Sequence, residues 1–172
     1  MKKDESGMEE RVDALHEKTD RDARESGYHL NPDVEFTRAL IKGLLINEDR
    51  VGYQSCPCRM PSGDRAKDLD IICPCDYRDP DLTEYGVCYC ALYVSEDVLD
   101  GKREVASIPE RRPPEPERPP SAGGTAKEEA DKGGIQIWRC RVCGYLCARE
   151  SPPERCPVCK VSSDRFERFA LP

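Results

Sequence analysis

"SCPCRM" (55–60), "ICPCDY" (72–77) and "VCYCAL" (87–92) repeat one spacing three times, two cysteines one residue apart. Six sulfurs exceed the four cysteinates that a cubane iron–sulfur cluster takes, and they fall two short of a second cluster. Four ligands therefore leave one dithiol over. A dithiol is a two-electron couple, whereas an iron–sulfur cluster changes by one electron. Placed in one pocket, the two let a one-electron donor act on a two-electron substrate, provided the half-reduced state is held by the cluster. In the first two pairs, Pro57 and Pro74 fix φ near about −65° and keep the flanking sulfurs close, so that one ligates metal while its neighbour lies beside it.

The rest of the composition agrees with a metal-stabilised fold. The chain has 172 residues and 11 cysteines, and its 37% apolar content counts those cysteines, so the ordinary core is thin. The start, "MKKDESGMEERVDALHEK", has no apolar core of a signal peptide, and no apolar run is long enough to span a membrane. A cytoplasmic location and no membrane are expected. In a reducing compartment, thiols this dense read as metal ligands or redox groups rather than structural disulfides. A net charge of −7 argues against a nucleic-acid partner.

Along the chain, Met8, Val12 and Leu15 space a polar N-terminal helix within residues 1–27, with His16 on its surface. "NPDVEFTRALIKGLLINEDRVG" reads as a second helix capped by Asn31, with Phe36, Leu40 and Leu44 facing the cysteine region and Gly52 ending it. "ALYVS" (91–95) is either a short strand or a helical turn. Residues 105–134 read as a Pro/Gly-rich linker, because six prolines fall between 109 and 120. Those twelve residues would reach about 37 Å as polyproline II.

Beyond the linker, "WRCRVCGYLCARESPPERCPVCK" supplies Cys140, Cys143, Cys156 and Cys159 as two Cys-x-x-Cys knuckles twelve residues apart. Two facing knuckles make a tetrahedral thiolate cage, suited to zinc or iron. So short a unit needs the metal in order to fold. Residues 135–169 resemble the rubredoxin-like domain of rubrerythrins, with Trp138, Tyr145 and Phe166 as small-core aromatics. That resemblance implies one iron in a four-cysteine site serving electron transfer, with Lys160 where the family often has Gly and Cys147 as an odd thiol outside the ligand set.

"NEDRVGYQSCPCR", "DIICPCDYRDPD" and "EYGVCYCALYVS" resemble the catalytic subunit of ferredoxin:thioredoxin reductase. The resemblance implies a mainly α domain over residues 28–104 around a [4Fe-4S] cluster, joined to a small, metal-stabilised, β-rich rubredoxin-like domain over 135–172. It assigns Cys56, Cys73, Cys75 and Cys88 to the cluster. Cys58 and Cys90 become the redox-active pair, Cys58 attacking the partner disulfide and Cys90 facing the cluster. Arg59 stands close enough in sequence to lower the Cys58 pKa, unless it is simply a solvated or paired cation. Where the family has a proton-transferring His, this chain has Tyr89; His29 is the other candidate for that proton.

The activity implied is oxidoreduction: a ferredoxin or similar one-electron donor reduces a thioredoxin- or glutaredoxin-like protein disulfide. About 130 mV separates a plant-type ferredoxin from thioredoxin, so two electrons fall by about 6 kcal/mol. The rubredoxin-like unit is expected to swing on its linker as an auxiliary carrier, either feeding the cluster or drawing electrons from it. The resemblance leaves room for an oligomer or a small partner subunit. The rival readings are a non-catalytic iron–sulfur carrier, a zinc-stabilised scaffold, and a reductase of a small-molecule disulfide.

Overall fold

The computed structural model describes residues 2–115 and 135–169, with side chains from residue 6 onward. Two helices build the frame. The first, α1 (Lys2–Glu25), buries Val12 completely and packs Met8 and Leu15 beside it. Its charged face meets the second helix, α2 (Val34–Val51), through Arg11 with Asp49 at 2.8 Å and Lys42 with Glu9 at 2.9 Å.

α2 begins two residues later than its sequence suggests. Asp33, not Asn31, is the cap: its Oδ1 accepts from the Phe36 backbone N–H at 3.0 Å. Asn31 serves elsewhere, its Nδ2 donating to the Ala91 carbonyl at 3.1 Å and tying the helix start to the third cysteine pair. Gly52 ends α2 in the left-handed region at φ 87°. The buried stripe is Thr37, Ile41, Leu44, Leu45 and Asn47, while Phe36 stays 40% exposed. Pro57 covers α2 at Gly43 and Ser55 covers it at Asn47, so Phe36, a turn and more upstream, lies beyond that cover.

Short pieces complete this unit. β1 (His29–Leu30) pairs antiparallel with β2 (Tyr93–Val94), which makes residues 93–94 of "ALYVS" a strand. α3 (Arg78–Tyr85) follows the second cysteine pair, and α4 (Glu96–Leu99) follows β2. The sulfurs are themselves core: Cys56, Cys88 and Cys90 share one cluster with Ile41, Leu44, Ile71 and Leu92.

Residues 105–112, expected to open the linker, instead pack on this unit as a strap. Ile108 is buried with Val87, Val94 and Val98. Glu110 holds Arg59, Arg111 pairs with Asp81 at 2.8 Å, and Arg112 enters a cage of Asp68 at 3.1 Å and Asp70 at 2.8 Å. Periodicity cannot anticipate contacts made at separations of 30 to 51 residues. The rest of the linker, 116–134, lies outside the described residues.

The second unit is a three-stranded antiparallel sheet ordered β4 (Leu146–Arg149), β3 (Gln136–Cys140), β5 (Phe166–Arg168). Trp138, Val142, Val161 and Phe166 pack around Cys140, Cys156 and Cys159, with Tyr145 and Cys147 partly buried at the edge.

This unit is seated on the loop that carries the second cysteine pair. Arg165, 3% exposed, donates to the Ile72 carbonyl at 3.1 Å and the Pro74 carbonyl at 3.4 Å, and pairs with Asp76. Arg141 reaches the same carboxylate at 2.9 Å, and Arg65 pairs with Asp164 at 2.6 Å. Tyr28 packs against both cores at once. A cavity of about 250 Å³ remains between the units, bordered by Tyr28, Cys73, Arg78, Cys159, Val161 and Arg165.

Candidate functional site

Backbone hydrogen bonds bring the three cysteine pairs together. Cys56 N–H donates to the Ile71 carbonyl at 2.8 Å and Cys73 N–H to the Gln54 carbonyl at 2.9 Å, around a bridge between Ser55 and Ile72. Cys88 N–H donates to the Tyr93 carbonyl at 3.0 Å, which hangs the third pair on β2. After Cys90 the chain turns sharply through Ala91 at φ 55°. α2 presses on the first pair so closely that a Cβ on Gly43 would stand 2.8 Å from Pro57 Cβ.

Cys56, Cys75 and Cys88 are near enough to Cys73 for their charges to act on its thiol. Burial, then the neighbouring sulfurs, push the Cys73 thiol well up and the Cys75 thiol up to about 12. Four bare thiolates would repel one another here, so the pocket suits a cationic core bound among them. They do not form the tight four-sulfur group that a single ion takes; among the described residues that group stands at 140–159. Four cysteinates are the donor set that a cubane cluster takes.

Cys58 and Cys90 are the sulfurs outside that set. Cys58 is exposed and Cys90 is buried. A hydrogen bond with Cys90 is the chief influence drawing the Cys58 thiol down to about 7, opposed by burial and aided by the charge of Arg59. Cys90 is pushed well above its ordinary value by hydrogen bonds with Cys56, then Cys58, then Cys88, whose sulfur lies at 3.6 Å. One thiol of the couple thus meets solvent and the other meets the four-sulfur pocket. Arg59 acts on Cys58 through its charge and is at the same time a paired cation: it holds Glu110 at 2.7 Å, donates to Cys75 Sγ at 3.4 Å, and its guanidinium lies over the Tyr89 ring at 4.5 Å. His29 sits in β1 opposite Val94.

The C-terminal site is compact. Cys140, Cys143, Cys156 and Cys159 have sulfurs all within 4.8 Å of one another, with Cys140 to Cys159 at 3.6 Å and Cys143 to Cys156 at 3.5 Å. A tetrahedron with metal–sulfur bonds of about 2.3 Å has edges of about 3.8 Å, so this set fits one ion. The two knuckles turn alike: Gly144 N–H donates to the Cys140 carbonyl at 2.9 Å, and Lys160 N–H to the Cys156 carbonyl at 3.0 Å. Lys160 accepts the left-handed conformation, φ 63°, that Gly144 adopts at φ 74°. Cys147 lies in β4 opposite Trp138, outside the ligand set.

An exposed and a buried thiol at a pocket of further thiols, beside a second four-sulfur site, are the groups that thiol–disulfide oxidoreduction uses. The family model described as "Ferredoxin thioredoxin reductase catalytic beta chain" matches residues 5–111, more than half of the chain, and the protein belongs to that family. At family level it is an oxidoreductase acting on disulfides. A second model, "Rubrerythrin, rubredoxin-like domain", matches residues 138–167. The chain is 29% identical over 104 residues to the chloroplastic ferredoxin-thioredoxin reductase catalytic chain of Spinacia oleracea, covering 59% of this chain and 68% of that one. It is 30% identical over 88 residues to the Glycine max chain and 30% over 92 residues to the Arabidopsis thaliana chain, spanning 58% and 60% of their lengths. The first match begins in α1, so the family region includes that helix as well as the strap through Arg111. Among the described residues no helix is long and apolar enough to cross a membrane.

Proposed function

We propose that the protein takes single electrons from a ferredoxin-like donor and uses two of them to reduce a disulfide on a thioredoxin- or glutaredoxin-like protein. Cys56, Cys73, Cys75 and Cys88 hold a [4Fe-4S] cluster, and Cys140, Cys143, Cys156 and Cys159 hold one iron. The cluster, when bound, supplies electrons one at a time and steadies the half-reduced dithiol. The observation carrying this reading is the asymmetry of the remaining couple: Cys58 is exposed with its thiol drawn down to about 7, while Cys90 is buried with its sulfur 3.6 Å from that of Cys88.

The chain's own residues perform the exchange. The Cys58 thiolate attacks one sulfur of the partner disulfide, forming a mixed disulfide and releasing one partner thiolate, which takes a proton. Cys90 then attacks Cys58 Sγ, the second partner thiolate leaves, and Cys58 and Cys90 are left as a disulfide. Two electrons and two protons return that disulfide to the dithiol. Tyr89, between Cys88 and Cys90, is nearer to this exchange in the chain than His29 in β1 and is the residue of the two that would pass a proton. The catalytic unit on this reading runs through the strap, to about residue 112, with the rubredoxin-like unit seated beside it.

The test combines composition and exchange. Purified full chain should hold about five irons and four sulfides, and Cys58→Ser should abolish thioredoxin reduction by reduced ferredoxin. A colourless, zinc-loaded protein would sink this reading, as would full turnover in the Cys58→Ser, Cys90→Ser protein. Turnover of a small disulfide with no thioredoxin reduction would redirect it to a different substrate.

A further inference from the structure

Arg59 is 5% exposed, and each edge and face of its guanidinium is occupied. Nε and Nη2 grip the Glu110 carboxylate, at 3.0 and 2.7 Å. Nη1 donates to Cys75 Sγ at 3.4 Å. The guanidinium carbon lies 4.8 Å from the centre of the Tyr77 ring and 4.5 Å from that of Tyr89. These partners come from all three cysteine turns: Arg59 follows Cys58, Cys75 and Tyr77 belong to the second turn, and Tyr89 sits inside the third. Glu110 comes from the strap and is fixed there, accepting from the Arg112 backbone N–H at 2.8 Å. Arg112 in turn shares Asp70 with the Tyr77 hydroxyl. One buried cation therefore joins the three thiol-bearing loops, and one carboxylate from a segment remote in sequence sets how much of its charge is left.

Resting on the reading above, we infer that Arg59 and Glu110 form an electrostatic regulator of the metal cluster held by Cys75, with Arg59 favouring the more electron-rich state and Glu110 restraining it. A fixed positive charge donating a hydrogen bond to a ligand thiolate stabilises added negative charge on the group that thiolate holds. In a buried site that effect is little screened by salt. Glu110 opposes it from the far edge of the same guanidinium. Arg59 and Glu110 are thus positioning residues; neither need touch the substrate disulfide.

Opposite signs distinguish this from a packing role. In the full chain, spectroelectrochemical titration of the cluster's one-electron couple is compared for wild type, Glu110→Gln and Arg59→Gln. Glu110→Gln keeps the shape and leaves the cation uncompensated, so the midpoint potential rises; Arg59→Gln removes the cation, so it falls. The expected displacement is about tenfold in the oxidised-to-reduced ratio at fixed potential, which is about 59 mV for one electron. The melting temperature is read alongside, because loss of packing lowers it in both variants without opposing the two potentials. If Arg59→Gln fails to fold, Glu110→Gln decides alone: a rise supports the inference, and no change or a fall overturns it. Iron and sulfide content separates this inference from the proposed function on which it rests. Protein without inorganic sulfide overturns both, whereas a normal cluster with unmoved potentials overturns this inference only.

Discussion

Replacing Arg165 with Met should unseat the rubredoxin-like unit while leaving both units folded. Arg165 contributes its guanidinium to the Ile72 and Pro74 carbonyls and to Asp76, and it is 3% exposed. Hydrogen bonds involving a charged group are worth about 1.5–3 kcal/mol each, and breaking a buried pair by removing one partner costs about 3–5 kcal/mol. Asp76 keeps Arg141 at 2.9 Å, which reduces the loss, so we take the lower end, about 3 kcal/mol. That corresponds to a change of about 150-fold in the equilibrium between seated and released forms. Amide hydrogen exchange on the intact, metal-loaded protein reads this directly. Protection should fall along residues 72–76 and around Arg165 while α1, α2 and the strands of the second unit keep theirs. A Met variant with unchanged exchange along 72–76, or one losing protection through α2 as well, would refute the argument that Arg165 holds an interface rather than a core.

Three further outcomes follow from the packing and the charges. Gly43→Ala forces a Cβ to within 2.8 Å of Pro57 and should destabilise the protein by about 1–3 kcal/mol despite the better helix propensity of Ala, measured by denaturant titration; a stabilised variant would show that the Cys56–Cys58 loop yields freely. Lys160→Gly should stabilise the second unit by about 1 kcal/mol, since Lys160 holds φ 63°, read as slower metal release to a chelator. Asp68 gives the pH dependence: burial pushes its carboxyl up, but donation from Tyr53 at 2.6 Å, from Arg112 and from Ser62 outweighs it and holds it below the ordinary 3.8. A depressed carboxylate adds stability above its unfolded pKa and loses it as pH falls through the folded one, so the gap between wild type and Asp68→Asn should be full above about pH 4 and close below it. A gap that widened on acidification would contradict that assignment.

What could be read in advance was local. Both knuckles of the C-terminal site lie within twenty residues of sequence, and their spacing alone placed four sulfurs within 4.8 Å. Gly52 was legible as a helix end because a left-handed cap is a property of one residue. The strap was not legible. Ile108, Glu110, Arg111 and Arg112 sit in a proline-rich run whose composition reads as linker; Ile108 is placed by packing on Val87, Val94 and Val98, and the other three by ion pairs to residues 27 to 51 positions away. The seating of the second unit was hidden for the same reason: Arg165 and Asp76 are 89 positions apart, and each alone looks like an ordinary surface charge. At the start of α2 two good caps, Asn31 and Asp33, stand either side of Pro32, and a tertiary bond to Ala91 takes Asn31 out of the contest.

The seated unit and the exposed thiol occupy different parts of the four-sulfur pocket. The second unit contacts the Ile72–Asp76 loop, which carries Cys73 and Cys75, while Cys58 remains exposed with that unit in place and the neighbouring Met60 is 79% exposed. An approaching disulfide can therefore reach Cys58 without displacing the rubredoxin-like unit, and no swinging motion is needed to clear the way. Tyr28 strengthens the point: its ring lies 3.6 Å from the Arg78 guanidinium, its hydroxyl donates to Asp79 at 3.1 Å, and it packs in both cores. Tyr28 is thus fixed within the first unit and offers the second unit's core a ring to pack on. On the proposed function, then, the Cys58 face delivers thiol chemistry, and the loop of Cys73 and Cys75 is the side on which the second metal site stands.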